Sequence, residues 1–371
     1  MTGAGAATVG GEPVVTLGVT SSHDRSSFVR AEILPGCGMM ILQLVGRTPS
    51  LGEFDLLASP PLERARDILE SGRGATESRA AFPANVAFSM GDAILAPFAN
   101  RIRGTPSRDD TTITTRIADR TVTIPANWGG KAPRAERYAM HGLLLGARVR
   151  DVQRETTGAR DVVRARYHAG DFGGHWPSRT TLDFEYALTP ERFEITVRAT
   201  NDGDVPLPMG IGSHPYFRIP SGHRAQARLH VPARLRALVN DYDEVLPTGE
   251  LQPVRDTPYD YTAPGGRPLD NAYLDDCFTD LVRNPDGDVV CRIIDPASRF
   301  ELRVIGESPA IAAVQVYAPP NEAYIALEPQ FNLADPFGPE WSPGIDTGVV
   351  LLSPGESVDY RVALEISAPG E

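Results

Sequence analysis

The sequence predicts a nearly all-β protein built from two packed antiparallel sheets. Long stretches alternate apolar with polar residues, and helical periodicity is scarce. Glycine (35) and proline (33) are frequent enough among 371 residues to favour many turns and short strands over long helices.

Residues 14–19 and 31–34 read as the first strands. Residues 61–70 put Leu62, Ala65 and Leu69 on one side, with Pro61 near the start, and predict a short helix. Residues 71–81 are mostly Gly, Arg, Ser and Ala without period and predict a loop. Short strands follow at 122–124 and 162–167. The clearest signal is a hairpin. Leu182, Phe184, Tyr186 and Leu188 alternate with Asp183, Glu185 and Ala187. Residues 189–192 then read as a turn, and Phe193, Ile195 and Val197 resume the alternation. Phe300, Leu302 and Val304 repeat the period, as do Val358, Tyr360, Val362, Leu364 and Ile366. Residues 335–341 have room for a single helical turn. No repeat, linker or charge run divides the chain. It therefore reads as one domain over 1–371, with 1–13 as a flexible N-terminus.

Charge narrows the function. A net charge of -12 argues against nucleic acid and against an anionic membrane surface, both of which select basic patches. Lys131 is the only lysine, in a loop-like Gly-Gly-Lys-Ala-Pro segment. Schiff-base, pyridoxal phosphate and phosphate-loop chemistries each need a lysine, so they carry little weight. Cys37, Cys277 and Cys291 are odd in number and widely spaced, which fits a reduced, intracellular protein without a zinc motif. No apolar run reaches membrane-spanning length, and the start of the chain has no signal-peptide pattern, so the expected location is the cytoplasm. Whether the chain forms a homodimer is left open.

Strands alone do not specify a function, so the polar residues must decide. Glu328 ends the apolar run 324–327, where a carboxylate is held by partners, used in chemistry, or leaving a strand end into solvent. His214 lies between Gly-rich residues 210–213 and Pro215-Tyr216-Phe217, a setting that a structural histidine would also suit. Each is followed by proline, which biases the preceding residue to stiff, extended backbone.

Six short segments together resemble the aldose 1-epimerase (galactose mutarotase) family. They are residues 97–102 (Pro-Phe-Ala-Asn-Arg-Ile), His141-Gly142, residues 214–217 (His-Pro-Tyr-Phe), residues 275–278 (Asp-Asp-Cys-Phe), residues 314–317 (Val-Gln-Val-Tyr) and Leu327-Glu328. They occur in the family's order, and the resemblance runs from about residue 30 to the C-terminus. It implies a large antiparallel β-supersandwich and cofactor-free interconversion of the anomers of a monosaccharide. By it, Glu328 is the general base and His214 the general acid. Asn100, Arg101, His141, Asp275 and Gln315 match sugar-binding positions, with Asp276 an alternative to Asp275. Neither a cofactor nor a metal is implied. Epimerases of phosphorylated hexoses and non-catalytic sugar-binding proteins on the same fold remain open alternatives.

Overall fold

The computed structural model describes residues 7–21, 24–71, 82–132 and 135–368. Among them, strands dominate and two large sheets organise the chain. One sheet has eleven strands. Its middle runs Leu274–Leu281, Ala313–Ala318, Tyr324–Gln330, Gly212–Arg218 and Asp92–Leu95, each antiparallel to the next. The other has nine strands, with the hairpin Thr180–Leu188 and Phe193–Asn201 beside the long C-terminal strand Ser357–Ser367. That strand also pairs with Phe300–Gly306, so the end of the chain is stitched into the middle of the sheet.

The alternation read from the hairpin is realised. Leu182, Phe184, Tyr186, Ile195 and Val197 are buried. They pack with Leu44, Ile94, Phe217, Val314 and Leu327 of the eleven-stranded sheet in one apolar core. Their polar neighbours face outward and pair across strands. Arg164–Glu185, Arg166–Asp183 and Arg198–Asp359 sit directly opposite one another in register. Such exposed pairs add little individually but keep this face solvated.

The predicted helix forms as Leu62–Ser71 and packs with the 3₁₀ segment Pro83–Ser89 over the outer face of the eleven-stranded sheet. Of the loop expected at 71–81, Ser71 ends this helix and the remainder lies outside the described residues. Residues 335–341 make successive turns, Asp335 to Gly338 and Gly338 to Trp341. Within the N-terminal segment 1–13, residues 7–13 are described: Thr8–Val9 and Glu12–Pro13 pair across a turn at Gly10 and Gly11, whose φ values of 62° and 85° suit glycine. No helix among the described residues is long and apolar enough to cross a membrane.

Between the sheets lies one carboxyl group that hydrophobic packing does not explain. Asp92 is 3% exposed. Burial pushes its pKa up to about 8, against the pull of the Ser213 hydroxyl and the His214 backbone N–H. The folded state therefore keeps a proton that the unfolded chain releases near pH 4. Stability contributed this way is full below that pH and is lost as pH rises towards 8. Asp92→Asn is expected to reduce the fall in stability between pH 5 and pH 8. Urea unfolding midpoints at the two pH values measure it, and an unchanged slope would exclude Asp92 as its source.

Candidate active site

The site begins as a row across the outer face of the eleven-stranded sheet. Cys277 pairs with Gln315, and Gln315 pairs with Glu328. The register between Gly212–Arg218 and Tyr324–Gln330 sets His214 opposite Glu328, and His214 pairs with Ala93 on its other side. Because side chains alternate between faces, these residues share one face. His214 Nε2 lies 3.4 Å from Glu328 Oε1.

Both residues precede a proline inside a central strand, a place where proline is normally excluded for want of an N–H. The structure accommodates them by opening the ladder locally. Pairing holds at Gly212–Gln330, lapses, and resumes at Tyr216–Ala326. From the opposite sheet, the buried Tyr360 hydroxyl donates to the Pro329 carbonyl at 2.7 Å.

A second wall comes from two chain segments held back to back. Strand Arg101–Ile102 pairs with Arg137–Met140, and the His141 N–H continues to the Asn100 carbonyl at 2.8 Å. Asn100 and His141 both have left-handed backbone, φ 62° and 60°, which Asn and His tolerate better than most residues. Gly142 follows at φ 80°, and a Cβ there would lie 2.3 Å from the Ala96 carbonyl oxygen. Only glycine allows this approach. It brings the His141 ring against His214, with centroids 4.9 Å apart and planes perpendicular.

Four polar side chains then close a ring over the row. Arg101 Nη1 donates to Asn100 Oδ1 at 2.8 Å, and Asn100 Nδ2 donates to Gln315 Oε1 at 3.0 Å. Gln315 Nε2 donates to Asp275 Oδ1 at 2.6 Å, and Asp275 Oδ2 lies 3.8 Å from Arg101 Nη2. The seven residues singled out from the sequence thus converge on one cavity of about 610 Å³. Asp275 and Asp276 are separated by face. Asp275 lines the cavity, while Asp276 is fully buried and bonded to Arg236 at 2.7 Å and to the Tyr242 hydroxyl.

Burial sets the electrostatics. It pushes Glu328 well above the usual carboxylate range, Asp275 and Asp92 push it further, and Arg101 opposes them. Asp275 is pushed up to about 6, again chiefly by burial, with Arg101 pulling down. Burial, then His214 and Arg101, hold His141 well below the ordinary histidine value. His141 is therefore a neutral imidazole near pH 7, and neither ring nitrogen has a hydrogen-bond partner among the described residues. Burial disfavours the Arg101 charge, but Asp275, Tyr138 and Glu328 more than restore it. The arrangement offers a strong proton acceptor and an imidazole within contact, beside fixed donors and acceptors. No three His, Cys, Asp or Glu side chains among the described residues gather so as to hold a metal ion.

Sequence reasoning missed the two asparagines that hold the second wall. Asn127 accepts from the Met140 N–H at 2.7 Å and donates to its carbonyl at 3.0 Å. Asn332 treats Ala99 the same way, at 3.1 and 2.8 Å. Each side-chain amide stands in for a missing strand neighbour beside a site residue, His141 or Asn100.

Comparison with known proteins gives a family and a fold. The sequence profile of the aldose 1-epimerase family matches residues 82–365. Among solved structures, a galactose mutarotase-like protein from Clostridium acetobutylicum superposes with a TM-score of 0.71 at 16% identity, covering 96% of this chain and 99% of its own. A GalM/aldose epimerase homologue from C. elegans gives 0.68 at 17% identity, with 96% and 99% covered. Galactose 1-epimerase from Lactobacillus acidophilus gives 0.64 at 15% identity, with 96% and 99% covered. At such identities these likenesses establish the fold. No curated protein sequence matches the chain.

Asn332→Ala would leave both the N–H and the carbonyl of Ala99 without their buried partner. The expected loss of stability is about 2–6 kcal/mol, at roughly 1–3 per unsatisfied group. Chemical denaturation measures it, and a loss below about 1 kcal/mol would mean that Asn332 does not hold the segment.

Proposed function

Because the chain belongs to the aldose 1-epimerase family, we propose that it interconverts the α and β anomers of a free aldose by ring opening and closure at His214 and Glu328. One observation carries the reading: the 3.4 Å approach of His214 Nε2 to Glu328 Oε1 in the cavity. In a cyclic aldose the hydroxyl oxygen and the ring oxygen are bonded to the same carbon, C1. An acid and a base that serve the two oxygens must therefore be close neighbours.

Glu328 accepts the proton of the C1 hydroxyl, and that oxygen's electrons form the aldehyde double bond. The bond from C1 to the ring oxygen breaks, and the ring oxygen takes a proton from His214. Rotation about C1–C2 presents the other face of the aldehyde. Closure then reverses each transfer, with Glu328 as acid and His214 as base. The raised pKa of Glu328 makes it a stronger acceptor than an ordinary carboxylate. The Arg101–Asn100–Gln315–Asp275 ring and the neutral His141 offer both donors and acceptors, which suits the several hydroxyls of a sugar. Apart from the two histidines, the basic residues among the described lining residues are Arg101 and Lys131, and Arg101 is already bonded to Asn100 and beside Asp275. That favours a neutral sugar over a phosphorylated one.

Glu328→Gln and His214→Gln keep the approximate size of each side chain and remove its proton transfer. Each is expected to lower kcat by about 10²–10⁴-fold, and the double variant to be little worse than either single one. Polarimetry of fresh α-glucose and α-galactose, with circular dichroism to check folding, gives the result. If Glu328→Gln stays folded and keeps near wild-type kcat, Glu328 is not the base, and Asp275 or a non-catalytic sugar-binding role becomes the better account.

The base must be ionised, so kcat/KM should fall as pH drops through the raised pKa of Glu328. A pH–rate profile is expected to show this acid limb above the pH range of an ordinary carboxylate. A flat profile down to pH 4 contradicts the assignment. Arg101→Ala should raise KM as well as lower the rate, because it orients the sugar rather than moving a proton.

A further inference from the structure

The two strands that carry Glu328 and His214 are not laced together where those residues sit. Pairing between Tyr324–Gln330 and Gly212–Arg218 holds at Gly212–Gln330 and resumes only at Tyr216–Ala326. Pro215 and Pro329 fall inside the gap, and neither has an N–H to give to a ladder. His214 and Glu328 therefore face each other, 3.4 Å apart, across the stretch of this strand pair that lacks ladder pairing. Backbone pairing alone does not fix that separation.

Three polar side chains bridge the gap from the core side. Tyr360, on the opposite sheet, is fully buried, and its hydroxyl donates to the Pro329 carbonyl at 2.7 Å. The same oxygen lies 3.4 Å from Ser213 Oγ. The Ser213 hydroxyl donates to the Asp92 carboxyl, which also accepts from the His214 N–H. A line of polar groups thus runs from the peptide after Glu328 to the peptide of His214. All of it is interior, with Ser213 1% exposed and Asp92 3%. Hydrophobic packing asks for none of these groups. A phenylalanine would fill the place of Tyr360 beside Phe331, whose ring centroid is 5.7 Å away, and a buried carboxyl is costly. Buried polar chains of this kind rigidify what they join, because their bonds are directional.

We propose that Tyr360, Ser213 and Asp92 are positioning residues: together they stand in for the missing ladder and set the distance between His214 and Glu328. The inference rests on the epimerase reading for its kinetic consequence and on the bonds above for its geometry. None of the three lines the cavity, so they act through the peptides of the acid and base. Ring opening needs both proton transfers aligned on one C1–O bond, and a misplacement of about 1 Å can cost on the order of 10²-fold in rate. Sugar binding should be spared, because Arg101, Asn100, Gln315 and Asp275 are bonded among themselves. Burial pushes the Asp92 pKa up to about 8, so near pH 7 it is mainly the neutral acid, and asparagine reproduces both its shape and its charge.

Tyr360→Phe removes one hydroxyl and keeps the ring. By polarimetry of α-glucose and α-galactose it is expected to lower kcat by about 10–100-fold and to leave KM within about twofold. Tyr186→Phe is the control, since that hydroxyl is equally buried but donates to the Met39 carbonyl at 3.0 Å, outside the line. It should keep kcat within about twofold. Asp92→Asn should retain kcat, and Asp92→Leu should lose it as Tyr360→Phe does. Ser213→Ala should behave like Tyr360→Phe and takes its place if that variant does not fold. A normal kcat in the folded variant, or an equal fall in Tyr186→Phe, reduces the line to a structural role and overturns the proposal. Crystal structures of the wild type and the variant give a readout independent of turnover. The distance from His214 Nε2 to Glu328 Oε1 should lengthen, and an unchanged distance overturns the proposal whatever the rates. If the wild type turns over neither sugar, the epimerase reading fails, and lengthening in the variant still upholds the positioning role.

Discussion

The register of three neighbouring strands, Ala313–Ala318, Tyr324–Gln330 and Gly212–Arg218, governs the site. It sets Gln315, Glu328 and His214 side by side on the face that looks away from the opposite sheet. A slip of one residue would turn all three into the apolar core and bring Val314, Leu327 and Ser213 or Pro215 out in their place. The core therefore enforces the chemistry indirectly. Val314 and Leu327 are fully buried on the far side, and any register that exposed them would lose their packing. Local opening of the ladder at Pro215 and Pro329 leaves this intact, because Gly212–Gln330 and Tyr216–Ala326 pin the register on both sides.

That arrangement sits among carboxyl groups that burial disfavours. Glu328, Asp275 and Asp92 all have raised pKa values, and Arg101 is the main cation opposing the rise in the first two. The price in stability is localised where proton transfer is proposed, as expected when an active site is held against the preferences of its parts. The ring through Asn100 and Gln315 limits the cost by giving Asp275 and Arg101 fixed partners. Asp92 belongs to the other face, yet it accepts the pull of the His214 N–H and its field reaches Glu328. A charge change in the core is thus felt directly beneath the proposed acid and base.

The sequence made parts of this legible for physical reasons. The hairpin Thr180–Leu188 and Phe193–Asn201 has one buried and one solvated face, so period-2 alternation reveals it. The strands Gly212–Arg218 and Tyr324–Gln330 are buried on both faces and show no alternation. They could be located only through the short segments around His214 and Glu328 that resemble a known family. Asp275 and Asp276 could not be separated without the register, because adjacent strand residues face opposite ways. Asn127 and Asn332 gave no signal, since an asparagine that replaces a strand neighbour looks like any loop asparagine. The strand Thr112–Ile117 is rich in threonine and half exposed, which hid it. The hairpin at Thr8–Val9 and Glu12–Pro13 was hidden by its small residues.

Floor and rim of the cavity are made from different materials. The floor is sheet, where strands are held by ladders on both sides and by packing beneath. The rim is built from short strands, turns and single anchored side chains, such as Trp128–Gly129 and the segment around Tyr242 and Asp243. Substitution at the floor disturbs register, core and the proposed acid and base together. Substitution at the rim disturbs a ring contact or a hydrogen bond and leaves the ladders in place. The geometry behind the proposed proton transfer is therefore the constrained property of this architecture, and the contacts at the rim are the adjustable ones. Asp276 joins the two. It is held within a floor strand by the register Asp276–Val316, and its carboxylate reaches out to fix Tyr242, so the rim's position is inherited from the sheet rather than left to the loop.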